Sequence, residues 1–331
     1  MSPQAQRGAK RVTAADVARS LGLSRATVGF VLNNTPGQTI SDATRRRVLE
    51  EAERLGYRPH TAARTLASGR SRIVLLVLPD WPLDHSMRAN IDEASVALDR
   101  AGYSLVTTTP HPDGQAVPLW ESLRPDVVIS YAPMPDALHE AVAASGAIVL
   151  APGRGRFAAA HDERFAGGPR VQVEHLIERG RRRIAFAAPD DPRLADLVMQ
   201  RRSLAAATVA ASTGSPLAAD AAITPVTAPD VIADWLSRGI DGIVAYNDDV
   251  AAIALSAALR QGVAVPDRLA IIGHDDSPLA GLLVPSLSTV RVDAAGLGRY
   301  LAQVALAAVE GAETPSAGPS GDVHLVQRET T

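Results

Sequence analysis

The 331-residue sequence has no cysteine, a single lysine (Lys10) and only 4% aromatic residues. Without cysteine there is no disulfide framework and no thiolate metal site. With 46% hydrophobic residues but few rings, the core must be built from Ala, Val, Leu and Ile. No stretch reaches the roughly 18 uninterrupted apolar residues of a membrane helix. The first thirty residues carry charges and lack the apolar run of a secretory signal. These absences predict a soluble, cytoplasmic protein. The near-exclusive use of Arg over Lys reads as genomic base composition, with no functional meaning.

The length suits two or three folding units. A net charge of −3 hides an asymmetry: residues 1–72 hold 13 Lys/Arg against 5 Asp/Glu, and the remainder 20 against 31. A basic end on an acidic body is what a protein needs to place one end, and not the other, on a polyanion. The plain alternative is a solvated basic surface.

Three short helices follow from local signals. Thr13-Ala-Ala-Asp16 has the form of a capping box with Asp in place of Glu, and helical spacing runs through Val17, Ala18 and Leu21 to Gly22. Ser24 is a second N-cap, for a helix over Arg25–Asn33; so tight a helical hairpin is a helix-turn-helix. Ser41 caps a third helix with Val48, Leu49, Ala52 and Leu55 on its inner face and Gly56 at its end. Val17, Leu21, Val28, Val31, Leu32 and Leu55 form the expected mini-core. Pro59-His-Thr-Ala-Ala-Arg-Thr-Leu-Ala-Ser-Gly69 reads as one more helix, too short to be stable alone in water.

Val12–Val28, Val31-Leu-Asn33 and Arg54-Leu-Gly-Tyr-Arg-Pro59 together resemble the N-terminal signature of the lactose-repressor (LacI/GalR) family of transcription regulators, and the resemblance continues along nearly the whole chain. It implies a helix-turn-helix DNA-binding domain over residues 10–57, a hinge helix over 58–70 and an effector-binding and dimerisation domain over 72–331. By family position Arg25 and Ala26 face bases, and an Arg can take guanine O6 and N7 together. Thr13, Ser24, Thr27, Asn33 and Tyr57 would hold the DNA backbone; for Thr13 and Ser24, helix capping alone is the competing role. Where the family usually has Ser-Arg, this chain has Gly29-Phe30. Phe30 either touches a thymine methyl or packs in the mini-core. In the hinge, Leu66 matches the leucine that wedges into the minor groove, with Ala63 beside it; the alternative for Leu66 is packing against the body.

From Ile73 onward, short apolar runs alternate with helical segments, which argues for parallel sheets built from βαβ units. Strand candidates are 73–78, 103–108, 126–131, 147–150, 183–188, 241–246, 269–273, 288–292 and 324–328. The expected fold is thus an all-α helix-turn-helix head plus an α/β body. The resemblance makes that body a two-lobed, periplasmic-binding-protein-like domain, its N-lobe about 72–157 and 290–315, its C-lobe about 158–289 and 316–331.

Ligands of open α/β sheets sit beyond the carboxyl ends of strands. There Tyr246-Asn-Asp-Asp-Val-Ala251 and Gly273-His-Asp-Asp276 resemble family effector motifs, which makes Asn247 and Asp275 effector contacts. Arg201 sits at the Arg of Arg-x-x-Gly; the Gly is Leu204 here, and Arg202 is a substitute candidate. These side chains suit a polar, hydroxyl-rich or charged effector. Trp81 is either a stacking platform or ordinary packing; Asn247, Asp275 and Asp276 have simple loop-capping alternatives; Trp235 reads as buried helix surface. The chain lacks Gly-x-Ser-x-Gly, Walker A and His-Glu-x-x-His motifs. Gly153–Ala158 imitates a dinucleotide loop without its distal acid, and no complete metal-ligand set is present. The expectation is therefore a DNA-binding regulator, not an enzyme, with operator DNA, a small-molecule effector and a second copy as partners, and neither cofactor nor membrane. A solute-binding protein or an enzyme using the same cleft is the alternative.

Overall fold

The computed structural model describes residues 12–33, 35, 37–57, 70–111, 114–152, 162–313, 315 and 323–331. Ala63 and Leu66 of the expected hinge helix, and the dinucleotide-like stretch at 153–158, lie outside them. The chain forms two compact units, Met1–Arg72 and Ile73–Thr331.

In the first unit, α1 (Ala14–Leu21) opens at Thr13. The Asp16 carboxylate accepts both the Thr13 N–H, at 2.9 Å, and the Thr13 hydroxyl, at 2.6 Å. Those two bonds and Arg19 hold the Asp16 carboxyl at about 2. Gly22, at φ 66°, supplies the left-handed turn that stops α1. Helix α2 (Arg25–Leu32) is capped by Ser24 and α3 (Asp42–Arg54) by Ser41, each accepting the N–H three residues on. Val17, Ala18, Val28, Val31, Val48 and Ala52 form the buried centre, with Leu21, Leu32 and Leu55 around it. Leu49 corrects the expected inner face of α3: it is 50% exposed. At about 100° per residue it is rotated off the stripe that carries Val48 and Ala52.

The body begins with β1 (Ile73–Val77), α4 (His85–Arg100), β2 (Ser104–Thr108), α5 (Leu119–Leu123), β3 (Val127–Ser130), α6 (Asp136–Ala144) and β4 (Ile148–Leu150). The strands form a parallel sheet in the order β2-β1-β3-β4. Alternation sets its two faces. Val74, Leu76, Val127 and Ile129 join Leu98 of α4, while Leu75, Val77 and Val128 meet Trp120 of α5 and Val142 of α6.

The second lobe contains α7 (Asp162–Glu178), β5 (Ile184–Pro189), α8 (Ala195–Thr213), β6 (Ala219–Ile223), α9 (Ala228–Ser237), β7 (Gly242–Ala245), α10 (Asp248–Arg260), β8 (Ala270–Ile272) and α11 (Pro278–Leu282). Its parallel sheet has the order β6-β5-β7-β8. Strand β6 was absent from the sequence candidates. Its Ala-Asp-Ala-Ala-Ile sequence favours helix, and only its place beside β5 makes it a strand. Trp235 is buried in α9, as expected.

The chain then returns through β9 (Thr289–Val292) to α12 (Ala294–Glu310) and comes back through β10 (Val323–Val326), antiparallel to β9. Helix α12 packs on α4 and completes the first lobe's core through Leu297, Tyr300, Leu301 and Val304. Among the described residues the chain thus passes between the lobes through β9 and again through β10.

Gly298 is where α12 meets α4 most closely. A Cβ there would lie 2.1 Å from the Asn90 carbonyl oxygen and 3.0 Å from the Ala94 nitrogen. Because backbone cannot swing aside as a side chain can, Gly298→Ala is expected to cost about 1–3 kcal/mol or more in body stability. Gly29→Ala, whose Cβ meets nothing within 4 Å, should leave the head unchanged or stabilise it by roughly 0.5–1 kcal/mol. Denaturant unfolding of both variants checks the contrast; equal effects would contradict the close approach.

Candidate functional site

The first unit presents one polar, cationic helix end. Ser24, Arg25 and Ala26 are exposed at the start of α2, with Thr27 half-buried behind them. The Ser24 hydroxyl oxygen accepts the Thr27 N–H at 3.0 Å and lies 2.9 Å from the Thr27 hydroxyl. Ala26, Phe30 and Asn33 follow i, i+4, i+7 spacing, so they share a stripe along α2. Asn33 is exposed, while Phe30 is half-buried and stands outside the buried cluster among the described residues. Thr13 is exposed at the start of α1, its hydroxyl donating to Asp16. Tyr57 instead lies half-buried against the head's core.

In the body, the carboxyl ends of β7 and β8 gather three of the expected ligand residues. Asn247 caps α10, its Oδ1 accepting the Val250 N–H at 3.0 Å. The Arg201 guanidinium lies 4.4 Å from the Tyr246 ring centroid and donates to the Tyr246 carbonyl. Asp275 is 8% exposed and sits at φ 100°, a conformation rare outside glycine. Its Oδ1 accepts from the Ser86 hydroxyl of α4 at 3.0 Å and lies 2.7 Å from His274 Nδ1. The Ser86 bond is a direct link between the lobes. Burial pushes the Asp275 carboxyl up, but His274, Arg201 and Ser86 outweigh it and hold it well below the usual carboxylate range. Trp81, on the loop after β1, packs against the C-lobe core. Among the described residues no hydrogen bond or ring contact joins it to the other three.

Arg202 turns the other way and pairs with Asp220 of β6 at 2.7 Å. Helical geometry explains this, since successive residues point about 100° apart. Asp276, at φ 46°, pairs with Arg291 at 2.5 Å and Arg328 at 2.6 Å, tying the turn to the segments that pass between lobes. Between this turn and the start of α4 lies a cavity of about 360 Å³, lined by His85, Ser86, Asp275, Asp276 and Arg291 among others. Of the expected ligand residues only Asp275 borders it.

The sequence reading missed Asp84, Ser86, His274 and Asp248. Asp84 caps α4 by accepting the Met87 N–H at 2.8 Å; burial and the nearby Asp275 charge push its carboxyl up. An acid just before a helical run after the first strand was its available signal. His274 and Asp248 stand inside the two strand-end motifs, where His274 adjoins Asp275; Ser86 had no signal, because only tertiary structure brings it to Asp275.

Asp248 braces the turn. Its oxygens accept from the Thr289 hydroxyl at 2.5 Å and the Ser277 N–H at 2.6 Å, and a Cβ on Gly273 would strike it at 2.2 Å. Burial is the largest influence on its carboxyl and raises it to about 6. A carboxyl raised in the folded state stabilises fully below its unfolded value near 3.8, and that contribution is lost as pH rises through about 6. The stability of the native protein minus that of Asp248→Asn should therefore fall between pH 4 and 6, by on the order of 2–3 kcal/mol at most. Urea unfolding of both proteins across this range gives the difference; a constant one contradicts the shift.

Residues 13–60 match the lacI family of bacterial regulatory proteins, and residues 173–331 match the periplasmic binding protein-like domain. The chain is 29% identical over 318 residues to the HTH-type transcriptional regulator GalS of Salmonella typhimurium, covering 91% of each chain. Its fold is similar to that of the lac repressor dimer bound to operator and the anti-inducer ONPF, with a TM-score of 0.78 at 24% identity over 97% of this chain and 99% of that one. It is also similar to the transcriptional regulator CelR in complex with cellobiose, with a TM-score of 0.63 at 24% identity over 97% and 100%. From the capped helices of the head to the strand-end motifs of the body, the chain thus joins a LacI-type helix-turn-helix domain to a periplasmic-binding-protein-like domain and is similar along most of its length to LacI-family transcriptional regulators.

Proposed function

We propose that this protein is a cytoplasmic transcriptional repressor that binds operator DNA as a homodimer and loses or gains that affinity when a small polar effector enters the body. The carrying observation is the exposed start of α2, with Ser24, Arg25 and Ala26 together on a capped helix end. Such an end suits the major groove, where base edges are read and phosphates are held by hydroxyls and helix N-termini. Arg25, Ala26 and Phe30 are assigned to bases; Thr13, Ser24, Thr27, Asn33 and Tyr57 to the backbone. Ala63 and Leu66 are assigned to the minor groove on their sequence alone. Phe30 offers no strong donor or acceptor, so its reading is apolar, of a thymine methyl.

The effector is assigned to Asp275, Arg201 and Asn247, with Trp81 at the loop after β1. A carboxylate, a guanidinium and a carboxamide together favour a polyhydroxy ligand. The relative CelR is described in complex with cellobiose, which supports a sugar as the first ligand class to try. The relatives matched along the chain are regulators, not enzymes, and the reading gives the cleft binding rather than turnover.

Phosphate neutralisation releases counterions, so operator affinity should fall steeply with salt, with a log–log slope near −0.9 per phosphate contact. Titration of operator fragments selected from genomic DNA at several salt concentrations measures the slope; a flat line overturns the DNA-binding reading. In the body, Asp275→Ala and Arg201→Ala should each weaken effector binding by about one to two decades, roughly 1.5–3 kcal/mol, while sparing operator affinity without effector. Thermal-shift screening against sugars, followed by calorimetry, supplies the ligand. Variants that bind the effector normally but lose the operator would reverse the assignment of the two units.

A further inference from the structure

His274 is 1% exposed, and its Nδ1 lies 2.7 Å from Oδ1 of Asp275. Burial and the Arg201 charge pull its imidazole down, against the Asp275 carboxylate, which pushes it up. With Nδ1 facing a carboxylate, a neutral ring carries its proton on Nδ1 and leaves Nε2 as a bare lone pair. Among the described residues Nε2 has no hydrogen-bond partner. What lies against it is Gly168 of α7: a Cβ there would stand 2.1 Å from Nε2 and 2.6 Å from Cδ2. The glycine is required for space, not for its φ. One turn further along α7, Gln172 Nε2 donates to the Ala245 carbonyl at 2.9 Å and the Gly273 carbonyl at 2.8 Å. The helix under the ring is thereby fixed to the backbone that carries the ring.

Both the His274 and the Ser86 bonds end on the same oxygen of Asp275, Oδ1. Among the described residues, no hydrogen bond ends on Oδ2. We propose that His274 is a positioning residue of the ligand site: seated on the bare Cα of Gly168, it holds Oδ1 of Asp275 and leaves Oδ2 as the acceptor for the ligand's hydroxyl or ammonium group. This rests on the assignment of Asp275 to the ligand site.

The other groups facing Asp275 are Arg201 from α8, Asp84 at the start of α4, Tyr246 at the end of β7 and Asp248 at the start of α10. Asp276, beside it, is already matched by Arg291 and Arg328. Removing the His274 N–H takes away a donor to the charged form and leaves burial and the neighbouring acids, so the Asp275 carboxyl must titrate higher.

The test is a carboxyl-carbon NMR titration of the full chain labelled with ¹³C-aspartate, with Asp275→Asn assigning the signal. His274→Phe should raise the Asp275 titration by about one pH unit or more. Gly168→Ala should do the same by pushing the ring off its seat, and it carries the test if the Phe variant does not fold. His274→Asn, which keeps an N–H toward Oδ1, should return the titration most of the way. An unmoved titration in folded His274→Phe or Gly168→Ala overturns the proposal, as does an Asn variant that behaves like Phe. Failure of the ligand-site assignment reads differently: the titration moves as expected, yet the Asp275 signal does not respond to cellobiose or to any sugar that raises the melting temperature. That outcome keeps the clamp and removes its purpose.

Discussion

Strands β7 and β8 end side by side, and the carbonyls of Ala245 and Gly273 are both taken by the side-chain amide of Gln172. Buried carbonyls at strand ends need donors, since an unmet one costs about 1–3 kcal/mol. A single glutamine, itself 1% exposed, meets both. The carboxamide and the carboxylate assigned to the ligand site hang from these two ends: Tyr246 and Asn247 follow Ala245 directly, and His274 and Asp275 follow Gly273. The spacing between carboxamide and carboxylate is thus set from behind, by α7, before any ligand arrives.

The turn after β8 carries two consecutive residues, Asp275 and Asp276, at φ 100° and 46°. Two such residues in a row are costly unless their surroundings over-determine them, and strain of this kind concentrates at functional sites. Here the side chains supply the determination. One carboxylate is claimed by Ser86 and His274, the other by Arg291 and Arg328. Two acids joined by one peptide bond therefore report to different parts of the body. The first meets the opposite lobe and the second meets the segments that run between lobes.

Much of this was legible in the sequence wherever the cause is local. Caps at Thr13, Ser24 and Ser41 and the stop at Gly22 place the head's helices, because these residues satisfy helix-end groups within four positions of themselves. The parallel-sheet body was legible as apolar runs, except β6, whose alanines carry no strand signal. Leu49 shows that an apolar residue one step off the helical stripe is outside, and Arg202 that an arginine one step from a motif position serves another partner. What the sequence hides is contact across distance. Ser86 and Asp275 are 189 positions apart, and Gly168 meets His274 only because α7 lies over the ends of β7 and β8. No periodicity encodes such meetings. Asn247, Asp275 and Arg201 are proposed from strand-end position and family motif together, and the fold brings Arg201 to Tyr246, next to Asn247.

The close approach at Gly298 has a mechanical meaning for the whole first lobe. Helices separated by side chains slide past one another, because rotamers absorb the displacement. Helices in backbone contact have no such slack, so α12 and α4 must travel together. The forward end of α12 joins the β9 segment, and the forward end of α4 carries Asp84 and Ser86. A pull on the β9 strand would therefore reach the residues assigned to the ligand as the turning of one stiff body. In engineering terms the pair is a crank, with the missing methyl group of one glycine as its bearing.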